Sequence, residues 1–315
     1  MTAYILRRLV HSLILIWGCA TLVFFVIRFI PGDPVVQMLG PEYTPEAAEA
    51  MRLKLGLDEP LLVQYATWMG DIFRGDLGSS IATNETVTAA ISTGLPKTLS
   101  LSLFAFVFGL AIAIPTGILA ALKRNTWIDY LASVIAFVGV SMPGFWLGIL
   151  LILIFSVRLG WLPAIGYAEI GEDGFRAWFE RLILPGIAIG ASYGAIVMRF
   201  VRAGLLETMS SDYIRTARAK GVLERKVIFA HALRNAMIPV VTVVGIQLAL
   251  LLSGTVAVET VFSIRGIGRI LVGAIFDRDY PMVQGIVLLI AVIFVLANLV
   301  VDILYTALDP RIKYA

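Results

Sequence analysis

The chain has 315 residues, of which 59% are hydrophobic and only 15% are charged. Soluble domains carry roughly a quarter charged residues and just under half apolar ones, so this composition excludes a soluble or disordered protein and indicates a membrane protein. The formal net charge is +3, and the basic residues that produce it flank the apolar stretches as in membrane topology, which argues against nucleic-acid binding.

Six apolar stretches predict six transmembrane helices and an all-α polytopic membrane protein. Each stretch approaches or exceeds the ~20 residues that cross a bilayer core, and a chain in lipid satisfies its backbone hydrogen bonds by forming helices. The fourth is the weakest, because its charge-free part, residues 182–198, reaches only the lower end of that length range. The stretches cover residues 9–30, 99–122, 130–157, 182–203, 236–258 and 282–308.

The first apolar stretch follows Arg7 and Arg8, as the core of a signal peptide would. It is longer than such a core, which has about 7–15 residues, and no small-x-small cleavage site accompanies it. We therefore expect residues 1–30 to remain in place as an anchor helix.

The segment from residue 31 to residue 98 is expected to be a small helical cap rather than a linker. Residues 45–55 have a helical pattern, with Thr44 as N-cap and Gly56 just past the end. A second helical pattern covers residues 61–73.

The distribution of Lys and Arg predicts the orientation in the membrane, since cytoplasmic loops carry an excess of both residues. They cluster near both termini, at Lys123 and Arg124, and in the loop between the fourth and fifth apolar stretches. The 31–98 segment is acidic instead. We expect both termini to be cytoplasmic, and the 31–98, 158–181 and 259–281 segments to lie outside.

The loop between the fourth and fifth apolar stretches, residues 204–235, contains two short helical patterns. Ser210 or Ser211 is placed to cap the first helix, and Gly221 to end it. The second pattern covers residues 223–235 and leads into the fifth stretch. A short capped helix beside a membrane bundle suits the groove of a partner protein. The alternative is a basic loop bound to anionic lipid head groups.

Residues 213–221 and 231–239 resemble the coupling loop of bacterial ABC-importer permeases, in the form found in dipeptide, oligopeptide, glutathione and nickel permeases. The general motif of such loops begins Glu-Ala-Ala and has a glycine four residues after the second alanine. Here Arg-Thr replaces Glu-Ala, as is usual in the peptide branch, while Ala217 and Gly221 keep the register.

The resemblance covers nearly the whole chain and is to the first permease subunit of these importers. One departure is Ile264-Arg265, where the family often has Trp-Pro, and it removes a rigid turn from the last outer loop. Matching fragments occur at residues 4–8, 31–34, 55–58, 75–78, 141–148 and 159–164, and at several positions within 259–285 and 302–312.

This resemblance implies a type I ABC-importer permease fold and an ATP-driven importer. The importer would take small peptides from an extracytoplasmic binding protein and release them in the cytoplasm by alternating access. The implied partners are a second homologous permease in a heterodimer, two ABC ATPase subunits, the binding protein and membrane lipid. The implied location is the bacterial inner membrane, with a cytoplasmic tail over residues 309–315 after a transmembrane core over residues 99–308.

The resemblance also implies roles for particular residues. The residues implied in coupling to the ATPase are Asp212, Tyr213, Arg215, Thr216, Ala217, Arg218, Ala219, Lys220 and Gly221. Candidate contacts for the binding protein are Glu259, Arg265, Arg269, Arg278 and Asp279, with pairing between these arginines and Asp279 as the alternative.

We expect neither a catalytic site nor a metal site in this chain. No Gly-Lys dipeptide occurs, so the chain has no P-loop, and ATP and Mg²⁺ are expected on separate ATPase chains. With Cys19 as its single cysteine and two histidines, the chain has no Cys-rich metal site and few transition-metal ligands.

Polar residues within the apolar stretches are candidates for the substrate path. Ser141, Gln247 and Asn298 either line this path or form hydrogen bonds between helices. Asp302 has either a structural role or a role in a proton relay.

Three glycines at residues 186, 190 and 194 form a stripe of small residues in the fourth stretch. The stripe predicts close helix packing, either within the chain or between two permeases.

Other functions compete with the peptide importer. A gradient-driven secondary transporter would need ionisable groups at mid-membrane, for which Asp302 is the one candidate. The same importer family with a nickel, glutathione, opine or oligosaccharide substrate is a further alternative, as is a membrane scaffold without transport. An intramembrane metalloprotease is disfavoured, because no His-Glu-x-x-His sequence occurs.

Overall fold

The computed structural model describes residues 2–29, 34–39, 43–54 and 56–308, and nearly all of them are helical. The helices are α1 (Thr2–Phe29), α2 (Pro34–Leu39), α3 (Pro45–Lys54), α4 (Leu61–Phe73), α5 (Val87–Leu122), α6 (Trp127–Ser141), α7 (Gly144–Leu151), α8 (Gly174–Met209), α9 (Asp212–Ala219), α10 (Glu224–Lys226), α11 (Leu233–Val261), α12 (Ile267–Phe276) and α13 (Tyr280–Leu308). Residues 152–158 and 227–232 form π-helical turns. The family-like residues 31–33 and Leu55, and the predicted tail 309–315, lie outside the described residues.

The predicted all-α membrane fold is confirmed. Five helical segments are long and apolar enough to cross a membrane, and one bent helix pair raises the number to six among the described residues. Several helices extend well past the apolar stretches that predicted them: α5 begins at Val87 and α8 at Gly174. Hydropathy marks the part of a helix that suits lipid, whereas caps and turns mark where the helix ends.

The third predicted span is not one continuous helix. The chain bends by 108° between α6 and the second half of the span, which consists of α7 and the π-helical turn after it. The break falls at Met142, which is extended (φ −89°, ψ 127°) because the following Pro143 disfavours a helical conformation there. Gly148, in α7, lies so close to the ring of Phe262 that a Cβ atom would come within 2.8 Å of it. The number of apolar residues in a stretch cannot show whether it forms one straight helix or two helices with a bend between them.

The described chain divides into two compact units. The first comprises residues up to Pro96 together with Gly266–Leu296, and the second comprises Lys97–Arg265 with the residues that follow Leu296.

The first unit contains the predicted cap. Thr44 is confirmed as N-cap of α3, since its hydroxyl accepts a hydrogen bond of 3.2 Å from the amide of Ala47. Gly56 has a φ of +62°, as a residue just past a helix end should. Helix α4 matches the predicted range and packs on α1 through an aromatic cluster. The cluster comprises Phe24, Phe25, Tyr65 and Trp68.

The second unit is built around α8, which packs against α6, α7 and α11. The glycine stripe faces α5 of the same chain: a Cβ atom on Gly190 would lie 2.8 Å from the carbonyl oxygen of Ala105, and one on Gly194 would lie 3.1 Å from that of Gly109. All three stripe glycines are buried within this chain. Packing within the chain is therefore confirmed, and an interface between two permeases through this stripe is excluded.

Replacing Gly190 with leucine is expected to lower the stability of the protein by about 1–3 kcal/mol, because the new side chain meets backbone that cannot move aside. The measurement is thermal unfolding of the purified protein in detergent. Gly273→Leu is the matched control, because nothing lies within 4 Å of a Cβ atom at that helical position. Equal unfolding temperatures for the two variants would contradict the packing assigned to α5 and α8.

Candidate functional site

Helix α9 forms the centre of the loop at residues 204–235, as predicted. Ser211 takes the N-cap position, with extended backbone (φ −73°, ψ 153°). Its hydroxyl does not cap α9, however, but donates a hydrogen bond of 2.6 Å to the carbonyl of Thr208 at the end of α8. The hydroxyl of Ser210 likewise donates to the carbonyl of Glu207. The two serines therefore help to end one helix rather than to begin the next.

A single buried side chain anchors α9 on the rest of the second unit. Ile214 is fully buried and belongs to an apolar cluster with Leu205 and Ala236, while Ala217 packs half-buried at the edge of this cluster. The other predicted coupling residues in α9 and just after it are exposed: Asp212, Tyr213, Arg215, Thr216, Arg218, Ala219, Lys220 and Gly221. The helix therefore exposes a polar, mainly basic surface, while Ile214 fixes its other side in the apolar cluster, which we call the apolar seat of α9.

Polar contacts hold both ends of α9. At its start, the side-chain amide of Asn235 donates a hydrogen bond of 2.8 Å to the hydroxyl of Tyr213. At its end, Arg218 donates two bonds to the carboxylate of Glu224, of 2.7 and 3.1 Å. The hydrogen bonding to Glu224 holds the pKa of the Arg218 guanidinium above its ordinary value. These contacts tie α9 to the helices that follow it, so that it can move with them as one body.

Gly221 makes the sharp turn between α9 and α10. Its φ is +77°, in the left-handed region where a side chain is strained, although no atom lies within 4 Å of the position that a Cβ atom would take. The strain that a substitution would cause here is therefore one of backbone conformation and not of crowding.

The second helix predicted in this loop is not a separate element. The residues from Glu224 onward run through the π-helical turns at 227–232 into α11, and the helix continues through Pro239. The loop therefore contains one free-standing helix, α9, and the start of a long one.

A buried ion pair lies at the same end of the second unit, and no sequence pattern predicted it. Arg202, in α8, donates hydrogen bonds of 2.6 and 2.8 Å to the carboxylate of Asp129, in α6. The backbone amide of Asn125 donates a third bond of 3.1 Å to this carboxylate. The side chain of Asp129 is 3% exposed and that of Arg202 29%. In the sequence, the only feature that could have indicated this pair is a carboxylate in the first turn of a predicted helix, next to an apolar stretch.

Two of the predicted docking residues, Glu259 and Asp279, are buried in this structure, which does not favour the docking role predicted for them. Glu259 is fully buried in the last turn of α11, where its carboxylate accepts a hydrogen bond of 2.6 Å from the hydroxyl of Thr98. Asp279 is 2% exposed and caps α13, accepting hydrogen bonds from the hydroxyl of Ser80 and the backbone amide of Met282. A docked protein cannot reach either carboxylate in this structure.

The other three docking candidates lie nearer the surface. Arg265 and Arg269 are exposed, and Arg278 is half-buried with a φ of +53°. The predicted outer loop at residues 259–281 also contains α12, a ten-residue helix. Any docking surface in this segment is therefore formed by a folded helix and its flanking turns.

The candidate path residues are not brought to one cavity. A cavity of about 390 Å³ lies between α5, α6 and α8, and its walls are mainly apolar. Ser141, Gln247 and Asn298 are not among the described residues that line it. Ser141 is exposed at the α6–α7 bend, while Gln247 and Asn298 are half-buried in α11 and α13. The side chain of Asp302 lies outside the described residues.

Residues 190–194 read Gly-Ala-Ser-Tyr-Gly, which has the Gly-x-Ser-x-Gly spacing of a hydrolase nucleophile elbow. The chemistry of that elbow needs a sharp turn between a strand and a helix, which exposes the serine. Here the five residues lie in the middle of α8, and the two glycines pack against α5. The pattern therefore serves helix packing.

The whole chain is similar to known proteins. A family model described as the binding-protein-dependent transport system inner membrane component matches residues 113–314, and the model of its N-terminal part matches residues 1–102. The dipeptide transport system permease protein DppB of Alkalihalophilus pseudofirmus is 44% identical, with 100% of each chain covered. The glutathione transport system permease protein GsiC of Escherichia coli is 42% identical, again with 100% of each chain covered.

Solved structures share the fold over most of the chain. The inward-facing MetNI methionine ABC transporter gives a TM-score of 0.56 at 22% identity, covering 70% of this chain and 96% of that one. An amino acid ABC transporter with histidines gives 0.53 at 17% identity, covering 70% and 94%.

Proposed function

The chain belongs to the family of binding-protein-dependent transport system inner membrane components, and we propose that it is the permease subunit of an ABC importer for small peptides. One observation carries the proposal: full-length identity of 44% to a protein named as a dipeptide permease. Another relative is named as a glutathione permease. Glutathione is itself a small peptide, so we include it in the proposed substrate class. The family and the permease fold implied by the resemblance are confirmed.

In this proposal, α9 is the element on which the ATPase acts. Its exposed basic surface supplies the contact with the ATPase, and Ile214 transmits the resulting force to the apolar cluster beneath it. Because Ile214 packs in one cluster with Leu205 of α8, and Tyr213 is hydrogen-bonded to Asn235 of α11, a displacement of α9 moves the ends of α8 and α11 together with it. Rigid-body motion of this kind is one established way to switch a packed bundle between two states.

The buried ion pair extends this motion to α6. Arg202 lies near the end of α8, and its bond to Asp129 links α8 to the first turn of α6. The α6–α7 bend is then carried along with α8, because α7 also packs on α8. A switch between inward-open and outward-open states would proceed through α6, α7, α8 and α11 together, with α9 as the element that is moved first.

The partners in this proposal are a second homologous permease, two ATPase subunits and an extracytoplasmic binding protein. The two termini and α9 face the cytoplasm, and the 31–98 segment faces outward, as the charge distribution favours. ATP and Mg²⁺ belong to the ATPase subunits, and this chain has no catalytic role. Arg265 and the exposed residues of α12, among them Arg269, form part of the surface for the binding protein. Ser141, Gln247 and Asn298 remain candidates for the substrate path.

The test combines co-purification with uptake. The tagged chain, extracted mildly from native membranes, is expected to bring a second permease and ATPase subunits with it. Cells that carry it are expected to take up a labelled dipeptide, and a strain without it is not. Uptake that continues after ATP depletion with an intact membrane gradient would contradict the proposal in favour of a gradient-driven transporter. Recovery of the chain alone, under conditions that preserve other membrane complexes, would also contradict it.

A further inference from the structure

A cavity of about 250 Å³ lies within the first unit. Its walls come from the last turn of α1, from α4 and the turns before and after it, and from the start of α13. Ligand pockets for drug-sized molecules have volumes of about 300–1,000 Å³, so this cavity suits a smaller ligand. The polar side chains in its walls are those of Arg28, Glu59, Gln64, Thr67, Asp71, Asp76 and Gln284, beside Trp68 and Tyr280.

Helix α4 contributes both polar and apolar residues to the wall of this cavity. Gln64, Trp68 and Asp71 recur at the spacing of one helix face, and all three line the cavity. The apolar residues Leu62 and Phe73 are instead 74% and 82% exposed. The aromatic residues Tyr65 and Trp68 pack on α1, and the polar residues Gln64, Thr67 and Asp71 line the cavity beside them.

One wall of the cavity is positively charged. The guanidinium of Arg28 lies over the ring of Phe24 at 3.5 Å and donates hydrogen bonds to Oε1 of Gln64 and to the carbonyl of Phe24. Both of these acceptors are neutral, so they hold the guanidinium in place without neutralising its positive charge. Arginine held in this way is well suited to bind a carboxylate or phosphate group.

Gln284 adds an unused hydrogen-bond donor to the lining. The residue is 3% exposed, and among the described residues its amide nitrogen has no hydrogen-bond partner. Buried donors of this kind are rare in folded proteins and call for an explanation. A ligand acceptor that enters the cavity would supply the missing partner after a small movement of the side chain.

Carboxylates provide a negative part of the lining. Among the described residues, the Asp71 side chain forms only a long ion pair, of 3.7 Å, with Arg74, whose side chain is 82% exposed. One oxygen of Asp76 accepts a hydrogen bond from the amide of Gly78, and Glu59 is exposed at the rim. Exposed pairs such as Asp71–Arg74 are weak, so Asp71 can exchange this partner for a ligand ammonium group.

We propose that this cavity binds a small zwitterion, a peptide of two or three residues. Its carboxylate would lie at Arg28 and Gln284, and its ammonium group at Asp71 and Asp76. That the zwitterion is a peptide rests on the proposed function. The charge pattern alone would also suit the phosphate and amine of an ethanolamine lipid head group, and the test separates the two. The cavity is thus a peptide site formed by the segment assigned to the outer face together with the adjoining ends of α1 and α13.

Thiol protection provides a local test, because Cys19 is the only native cysteine. In a Cys19→Ser background, Thr67→Cys places a thiol in the cavity wall, and Ala66→Cys places one on the same helix outside the lining. The full complex, without binding protein, is reconstituted in nanodiscs and labelled with a charged maleimide. Dialanine at about ten times its Kd is expected to slow labelling of Thr67→Cys about tenfold, because the site is then empty about a tenth of the time. Labelling of Ala66→Cys is expected to stay unchanged.

Two outcomes would overturn the proposal: labelling of Thr67→Cys that dialanine does not slow, and protection by glycerophosphoethanolamine with none by dialanine. N-acetyl-dialanine amide, which lacks both charges, is expected to give no protection. Protection by this blocked peptide equal to that by dialanine would also count against a zwitterion site.

Variants of the lining test the charged contacts. Asp71→Asn in the Thr67→Cys background is expected to raise the dialanine concentration needed for protection about tenfold, as loss of one charged contact would. Asp58→Asn, an exposed neighbour outside the lining, is the matched control and is expected to have no effect. Equal effects of the two variants would contradict the proposal. If cells import dialanine but dialanine does not slow labelling of Thr67→Cys, the proposed site is refuted and the proposed function stands. If cells do not take up dialanine, the proposed function is refuted.

Discussion

Replacing Arg202 with alanine is expected to destabilise the folded protein by about 3 kcal/mol, because the buried carboxylate of Asp129 loses its counter-ion. We take the lower end of the range for broken buried pairs, since the Arg202 side chain is 29% exposed and water can partly replace it. The measurement is thermal unfolding of the detergent-purified protein, followed by tryptophan fluorescence. Arg199→Ala removes an exposed arginine from the same helix and is expected to leave the unfolding temperature almost unchanged.

Two further variants separate the charge from the geometry. Arg202→Lys keeps the charge but not the two parallel hydrogen bonds, and an intermediate unfolding temperature is expected. The double variant Asp129→Leu with Arg202→Leu leaves no buried charge and is expected to be more stable than Arg202→Ala alone. The ion pair would have no structural role if Arg202→Ala and Arg199→Ala unfolded at the same temperature.

Replacing Gly221 with valine is expected to reduce dipeptide uptake about tenfold while the protein still inserts and folds. A non-glycine residue in the left-handed region costs about 1–2 kcal/mol, and a β-branched one is among the least tolerated there. The exposed pair between Arg218 and Glu224 that closes this turn is too weak to impose the strained conformation. The turn is therefore expected to relax and to tilt α9 away from its partner.

Gly221→Asn is the matched control, since asparagine accepts a positive φ better than other residues do. It is expected to retain most of the uptake. The readouts are uptake in cells, the amount of chain in the membrane, and recovery of ATPase subunits with the tagged chain. Normal uptake by Gly221→Val would show that the turn has no role in coupling. Ala217→Glu is a less specific test, because Ala217 packs at the edge of the apolar seat of α9 and its replacement would also disturb that seat.

The ion pair and the glycine turn act on the same motion in the proposed mechanism. Gly221 sets the direction of α9 relative to α10, and Asp129 with Arg202 links α8 to α6. A variant at Gly221 is expected to affect uptake without a large loss of stability, whereas a variant at Arg202 affects stability first. The two sets of measurements therefore report on different steps, contact with the ATPase and transmission through the bundle.

Local patterns were sufficient to predict the short elements. Helix α4 matches its predicted range, Thr44 caps α3, and Gly56 follows it with a positive φ. Helix α9 ends where Lys220 and Gly221 predict. In each case the determining contacts lie within about one helical turn, so the residues themselves carry the information.

Predictions about polar residues near the membrane were less successful, because their partners lie far away along the chain. Glu259 was expected at a docking surface, but Thr98, 161 positions earlier in the sequence, holds it in the interior. Asp129 was not singled out at all, and its partner is 73 positions away. Nothing in the neighbourhood of either carboxylate in the sequence indicates these pairings.

The sequence by itself determined that the chain is an all-helical membrane protein with six apolar stretches, an acidic helical cap and a basic loop. Hydropathy, charge and helix caps are local properties, and lipid leaves a chain few alternatives to helices. Only the tertiary structure decided that the third stretch is bent by 108°, that the glycine stripe packs on α5 of its own chain, and that Asp129 pairs with Arg202. These features depend on which helix surfaces meet, and that is set by the packing of the whole bundle.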